Sequence, residues 1–234
     1  MTDKRTRTDR PIAIIDYGGG NVGSVGNAFD HLGAHTEITA DHETIRRAPA
    51  VVLPGVGATA DVMGGLVSRG LVPVIHEVIA RGTTPFLGIC VGLQILAQRS
   101  EEGDAHDCLG VAPGAVRRLP TGIIVPHMGW NAVNQTRPHP LWNGIPDATP
   151  FYFVHSYYAD VPDRHWILGE TAYGVVFPSV LARGSVMATQ FHAEKSGAMG
   201  LRLLGNFARI AAGELALDKA ALTAPPALTA TATR

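Results

Sequence analysis

Cys90 stands at the centre of Gly88-Ile89-Cys90-Val91-Gly92, framed by glycine two residues before and two after. The apolar run Pro85–Ile89 reads as a buried strand, and Val91–Gln98 as a helix that begins directly after the cysteine. The same frame with serine at its centre makes the nucleophile elbow of α/β hydrolases. Glycine is required at its flanks because strand and helix backbones crowd together there. Such a turn lifts the sulfur out of the sheet and sets it at a helix N-terminus, where free N–H groups and the dipole favour a thiolate. The Val91 N–H then points where an oxyanion would form. A lone buried cysteine is more often a small apolar residue than a nucleophile, so the frame needs a base to give it meaning.

Ten histidines are available. His192 stands apart because the expected strand Val186–Phe191 runs directly into His192-Ala193-Glu194. Residues two apart on an extended chain face the same side, so His192 and Glu194 should project together from a strand end. In open parallel sheets, that edge is where active sites are built. The chemistry this allows is acyl transfer. Cys90 would attack, His192 would share its proton and protonate a departing ammonia, and Glu194 would hold the ring in one tautomer. An ordinary surface pair would explain His192 and Glu194 alone; their coincidence with Cys90 favours catalysis.

The elements that must position these groups alternate at first. Pro11–Asp16 is a buried strand leading into Tyr17-Gly18-Gly19-Gly20-Asn21, and a helix follows with Asn21 as N-cap and Gly33 as stop. Ala50–Leu53 is a second strand, and the helical stretch to about Arg81 is broken near Gly70. Strands alternating with helices predict a parallel sheet covered on both faces. After about Leu109 the pattern changes to short strand candidates at Ile123–Val125, Trp130–Val133, Phe151–Val154, Ile167–Thr171, Val175–Phe177, Val180–Arg183 and Val186–Phe191. These predict a mixed or antiparallel extension, closed by a helix at about Ala198–Ala212. The expected organisation is a polar extension over 1–10, one domain over 11–212, and an Ala/Thr-rich tail over 213–234 expected to be partly disordered.

Composition narrows the function classes. Lys plus Arg number 19 against 20 Asp plus Glu, so no broad basic surface invites nucleic acid or an anionic membrane. No apolar run reaches the roughly twenty residues a membrane span requires. With two cysteines, Cys90 and Cys108, a disulfide framework is not expected, and a reducing cytoplasmic setting is. His106 and Cys108 form an isolated H-x-C without a second ligand pair, and Gly18–Gly20 lacks the G-x-G-x-x-G spacing, so neither metal nor dinucleotide cofactor is expected.

Together Gly88–Gly92, His192 and Glu194 resemble the triad-type, class I glutamine amidotransferases. Five further segments are similar to one branch, the glutaminase subunits of imidazole glycerol phosphate synthase. They are Asp16–Asn21, Pro54-Gly55-Val56-Gly57, His127-Met128-Gly129-Trp130-Asn131, Phe153–Tyr158 and Gln190–Ser196. The resemblance spans roughly Ile12 to Ala211. It implies an α/β, flavodoxin-like, doubly wound and mostly parallel sheet with an antiparallel strand extension. It also implies a thioester on Cys90, no cofactor, and glutamine contacts at Gly57, Gln94, Glu102, Ser156 and Tyr157. A second oxyanion donor, Val56 or Gly57, would come from the Gly55–Gly57 loop, gated by the partner. That partner would be a separate cyclase subunit receiving ammonia, docked over Tyr17–Asn21 and His127–Asn131. Ala193, Val91 and Thr59 are less usual choices at their positions, Ala193 standing where the family commonly has a proline between the histidine and the glutamate, and Val91 contributing only its backbone N–H. Another class I amidotransferase branch, a non-catalytic subunit of the same fold, and a generic cysteine hydrolase stand as alternatives.

Overall fold

The computed structural model describes residues 10–217. The polar residues 1–9 and the low-complexity segment after Leu217, expected to be disordered, lie outside the described residues. Four strands, β1 (Ile12–Ile15), β2 (Thr36–Thr39), β3 (Val51–Gly55) and β4 (Phe86–Cys90), pair in parallel in the order β2-β1-β3-β4. A fifth parallel neighbour comes from far along the chain, β13 (Val186–Thr189), which pairs with β4. This is the flavodoxin-like order. Strands β1, β3, β4 and β13 are buried along their whole length, which is why they read as unbroken apolar runs.

Helices cover these strands. They are α1 (Val22–His31), α2 (His42–Arg47), α3 (Thr59–Ser68), α4 (Leu71–Ala80), the single turn α5 (Val91–Gln94) and α6 (Gly197–Ala211). Helix α1 packs against α6, and α2 against α4. The break near Gly70 is present: Gly70 has φ 65° and separates α3 from α4. Together α3 and α4 are long and apolar enough to resemble a span, but they are bent by 95°, and among the described residues no single helix could cross a membrane.

The remaining strands are β5 (Arg99–Ser100), β6 (His106–Asp107), β7 (Ala115–Arg118), β8 (His127–Gln135), β9 (Thr149–His155), β10 (Tyr157–Asp160), β11 (Ile167–Ala172) and β12 (Val176–Arg183). Antiparallel pairing extends the large sheet as β13-β12-β11-β8-β9, giving nine strands, while β10-β7-β5-β6 form a small second sheet. Phe151, Phe153, Phe177 and Phe191 meet in the core beneath this extension.

Several expectations need correction. Ile123–Val125 is a turn rather than a strand, with Ile124 exposed and Pro126 following without a donor N–H. The two segments Val175–Phe177 and Val180–Arg183 are one strand, β12. Pro178 stands opposite Glu170 of β11, beside the register shift between Gly169 and Glu170, and is tolerated there because the ladder is already irregular. The helix expected over Val91–Gln98 stops at Gln94. The carbonyls of Ile95, Leu96 and Ala97 accept instead from the N–H groups of Leu109, Gly110, Val111 and Ala112, a tertiary competitor that periodicity does not reveal.

Candidate active site

Strand β4 ends at Cys90, whose φ of 56° and ψ of −109° place it in backbone space that L-residues rarely occupy. The strained turn exists because α5 doubles back over its own strand. A Cβ on Gly92 would lie 2.0 Å from the Leu53 carbonyl oxygen, and one on Gly88 would lie 2.5 Å from the Gly92 carbonyl oxygen. No side chain fits at either position. The sulfur is 4.0 Å from the Val154 carbonyl and 3.8 Å from Gln190 Nε2. A thiol could donate to the first, and a thiolate could accept from the second.

His192 and Glu194 do meet, by a route other than the one expected. Strand β13 ends at Thr189, and Ala193–Lys195 is a 3₁₀ turn, so the two residues do not lie on an extended chain. The turn nonetheless brings His192 Nδ1 to 2.7 Å from Glu194 Oε1, with side-chain exposures of 2% and 0%. Ser196 pins the turn to β9: its hydroxyl donates to the His192 carbonyl and accepts from the Tyr152 N–H, while the His192 N–H donates to the Tyr152 carbonyl. Ala193 is fully buried in this frame, and tertiary hydrogen bonds fix the turn without a proline. Burial opposes charge on His192, but the interactions with Cys90 and Glu194 outweigh it and lift its pKa to about 9. The pair is therefore an imidazolium held between a carboxylate and the sulfur.

Asn21 was expected to cap α1 with its side chain. It occupies the N-cap position, but its amide donates to Glu194 Oε1 at 2.8 Å instead. The glycine-rich loop and the His192–Glu194 turn are thus tied together across the sheet edge.

A cleft of about 290 Å³ opens over the sulfur. Every sequence-predicted residue except Glu194, which lies behind His192, lines it: Cys90, Val91 and Gln94 from the elbow, Val56 and Gly57 from the loop after β3, Glu102, Ser156, Tyr157 and His192. The Gln94 amide nitrogen donates to the Tyr157 carbonyl at 2.7 Å and to Gln190 Oε1 at 3.1 Å. Both of its hydrogens are spent on the protein, so only its oxygen is left for a ligand. Because Gln190 Oε1 accepts from Gln94, the Gln190 nitrogen must face the sulfur. Val56 differs from expectation: its N–H donates to the Tyr17 hydroxyl at 3.4 Å and not into the cleft.

Beneath the cleft lies a buried pair that the sequence did not single out. The Tyr157 carbonyl also accepts from His155 Nδ1 at 2.9 Å, His155 Nε2 accepts from His127 Nδ1 at 3.0 Å, and Asn131 donates to His127 Nε2 at 3.3 Å. Each tautomer follows from the backbone carbonyl at the end of the chain. Burial drives both histidines to a pKa of about 4 and keeps them neutral; His127 is sandwiched between Phe153 and Tyr173. Gln190, Asn21, His127 and His155 all lie inside the recognised motifs, yet nothing in their spacing shows what they touch. Cys108, by contrast, has its pKa pushed up to about 12 by burial, with Asp107 and Glu102 adding to it, which leaves it inert.

Comparisons with known proteins identify the family. Residues 13–211 match the family model described as "Glutamine amidotransferase class-I". The imidazole glycerol phosphate synthase subunit HisH of Herpetosiphon aurantiacus is 52% identical over 86% of this chain and 94% of its own length. The subunit of the same name from Dehalococcoides mccartyi is 51% identical over 87% of this chain and 98% of its own. Among solved structures, a glutamine amidotransferase superposes with a TM-score of 0.68 at 18% identity, covering 86% of this chain and 99% of that one. The PurLQS structure from Thermotoga maritima gives 0.66 at 18%, with the same coverage of 86% and 99%; these two support the fold alone. The chain belongs to the class-I glutamine amidotransferase family, within the branch of HisH subunits of imidazole glycerol phosphate synthase.

Proposed function

We propose that Cys90, His192 and Glu194 form a triad that hydrolyses glutamine, and that the chain is the glutaminase subunit of imidazole glycerol phosphate synthase in histidine biosynthesis. The observation that carries this reading is a cysteine at a strained elbow sharing one small cleft with a histidine that Glu194 grips at 2.7 Å. The Cys90 thiolate attacks the side-chain amide carbon, forming the C–S bond and an oxyanion. The Val91 N–H faces that oxyanion, with Gly57 as the second donor. The His192 imidazolium gives its proton to the amide nitrogen, the C–N bond breaks, and ammonia leaves a thioester. Neutral His192 then takes a proton from water, whose oxygen attacks the thioester and releases glutamate and the thiolate. Gly57, Gln94, Glu102, Ser156 and Tyr157 hold the substrate. No cofactor is called for.

Ammonia then passes to a cyclase subunit, which forms imidazole glycerol phosphate and an aminoimidazole carboxamide ribotide. The docking face is the one that carries Met128 and Trp130, two apart on β8 and both exposed. Trp130 reaches Gly197, just past the His192–Glu194 turn. Tyr17 and Asn21 of the neighbouring loop touch Val56 and Glu194. A partner seated on that loop would therefore act on the Val56–Gly57 loop and on the triad together. We place the reaction in the cytoplasm.

Glutamate release from glutamine, measured for the chain alone and with the cyclase subunit plus its ligand, tests the reading. Partner-stimulated release that falls at least about 10³-fold in Cys90→Ala is expected. Release indifferent to that cyclase would move the chain to another amidotransferase pathway. Absence of release under both conditions would favour a non-catalytic subunit.

A further inference from the structure

We propose that Thr59 is a positioning residue that sets the preference of this enzyme for a substrate bearing an α-ammonium group. The inference rests on the glutaminase reading and concerns how the cleft recognises the amino-acid end of its substrate.

Thr59 is the first residue of α3, and it is fully buried. Its N–H donates to Glu102 Oε2 at 2.7 Å, and its hydroxyl lies 2.8 Å from the same oxygen. The hydroxyl is also 2.8 Å from Ser100 Oγ, and Ser100 Oγ accepts from the Glu102 N–H at 3.1 Å. Counting protons fixes every direction. A hydroxyl has one hydrogen, and the carboxylate is the stronger acceptor, so Thr59 donates to Glu102 and Ser100 must donate to Thr59. The bonds close a ring that leaves Glu102 at its backbone nitrogen, passes through Ser100 and Thr59, and returns to Glu102 at its carboxylate. Backbone and side chain of one acidic residue are clamped by two buried hydroxyls.

The clamp has a consequence in the cleft. Oε2 is saturated by two donors, which leaves Oε1 for the cleft that Glu102 lines with Cys90 and Gln94. Gln94, its amide hydrogens spent on Tyr157 and Gln190, likewise offers only an oxygen. Two acceptor oxygens on rigid supports, one of them anionic, suit a cationic head group, and charge-assisted bonds of this kind depend steeply on placement. Ala58, the N-cap residue of α3, makes no side-chain cap bond, so Glu102 also supplies the anion that the helix N-terminus favours. Thr59 thereby couples the start of α3 to the substrate-facing carboxylate.

The test uses the chain assembled with the cyclase subunit and compares two amides, glutamine and glutaramate, which is glutamine without its α-amino group. In Thr59→Val, which keeps the shape and removes the hydroxyl, the ratio of kcat/KM for glutamine over glutaramate should fall about ten-fold, with the change in KM for glutamine. Thr59→Ser should restore the ratio to within about three-fold of wild type, since it returns the hydroxyl. A Thr59→Val enzyme that keeps the wild-type ratio, or loses both amides equally, would overturn the proposal in favour of a purely structural role. Should Thr59→Val fail to fold by thermal melting, Ser100→Ala opens the ring from its other side. An unchanged ratio there overturns the proposal as well. A wild-type complex that turns over neither amide overturns the glutaminase reading and this inference with it.

Discussion

The parallel and antiparallel halves of the large sheet contribute to the site in different ways. On the proposed mechanism the parallel half supplies the reacting groups, since Cys90 closes β4 and the His192–Glu194 turn follows its neighbour β13. The antiparallel half supplies the wall opposite, where Val154 and His155 end β9 and hand the chain to Tyr157, which opens β10 of the small second sheet. A parallel sheet gathers strand C-termini along one edge, so groups distant in sequence meet there automatically. An antiparallel extension offers no such edge. It has to reach the site through specific hydrogen bonds, and the buried His127–His155 pair is that reach. The comparison teaches that geometry places the chemistry in one half and wiring orients it in the other.

The comparison can be broken most forcefully at the elbow. Gly92→Ala puts a Cβ where the Leu53 oxygen stands 2.0 Å away. The strand-to-helix turn must then move, costing roughly 3 kcal/mol of stability and at least about 10³-fold in glutamate release. A thermal melt together with an assay would show it, and near-normal values for both would mean the elbow is less crowded than described.

Glu194→Gln is a smaller change in the same half. It should lower kcat about 10²-fold by removing the charge that orients His192. The pH profile gives the sign. His192 has a folded pKa of about 9, above its unfolded value near 6.5, so its charged form contributes stability fully below 6.5 and loses that contribution as pH rises through 9. The wild-type kcat/KM should decline along the same alkaline limb. In Glu194→Gln that limb should move to lower pH, and a limb that stays in place would remove Glu194 from the protonation of the ring.

The antiparallel half should respond more gently and at the opposite end of the scale. His127 and His155 have folded pKa values of about 4, below their unfolded value. The stability that comes from keeping them neutral is complete above 6.5 and is lost as pH falls through 4. His155→Phe should shrink the loss of stability between pH 6.5 and 4 by about half, and should cost ~1–2 kcal/mol at pH 7.5 through the orphaned His127 donor. It should lower kcat/KM by about ten-fold at most, since Tyr157 and Gln94 still meet. Denaturant midpoints across pH measure the first effect, and a His155→Phe loss as large as that of Glu194→Gln would erase the distinction between the two halves.

How far the site was legible follows the same division. Strands β1, β3 and β4 were visible as apolar runs because both of their faces are buried, and the glycine frame of Cys90 was visible because close approach leaves no alternative residue. The short strands β5, β6, β7 and β10 left no signal, since their two to four residues are polar or mix polar and apolar types and form no unbroken apolar run. Asn21 shows the limit at a single residue. Its type and position predicted an N-cap, and its side chain was claimed instead by Glu194, 173 residues away.

What the amino-acid sequence determined by itself was therefore local. It set which segments bury both faces, where a turn is too tight for any side chain, and which residue types stand ready for acyl transfer. Tertiary structure alone decided that α5 would end after one turn, that Ser196 would pin the His192–Glu194 turn to β9, that Gln190 would aim its nitrogen at the sulfur, and that Thr59 would grip Glu102. The physical reason is that backbone sterics and apolar periodicity act between near neighbours. A buried polar group takes whichever partner the completed fold brings within about 3 Å.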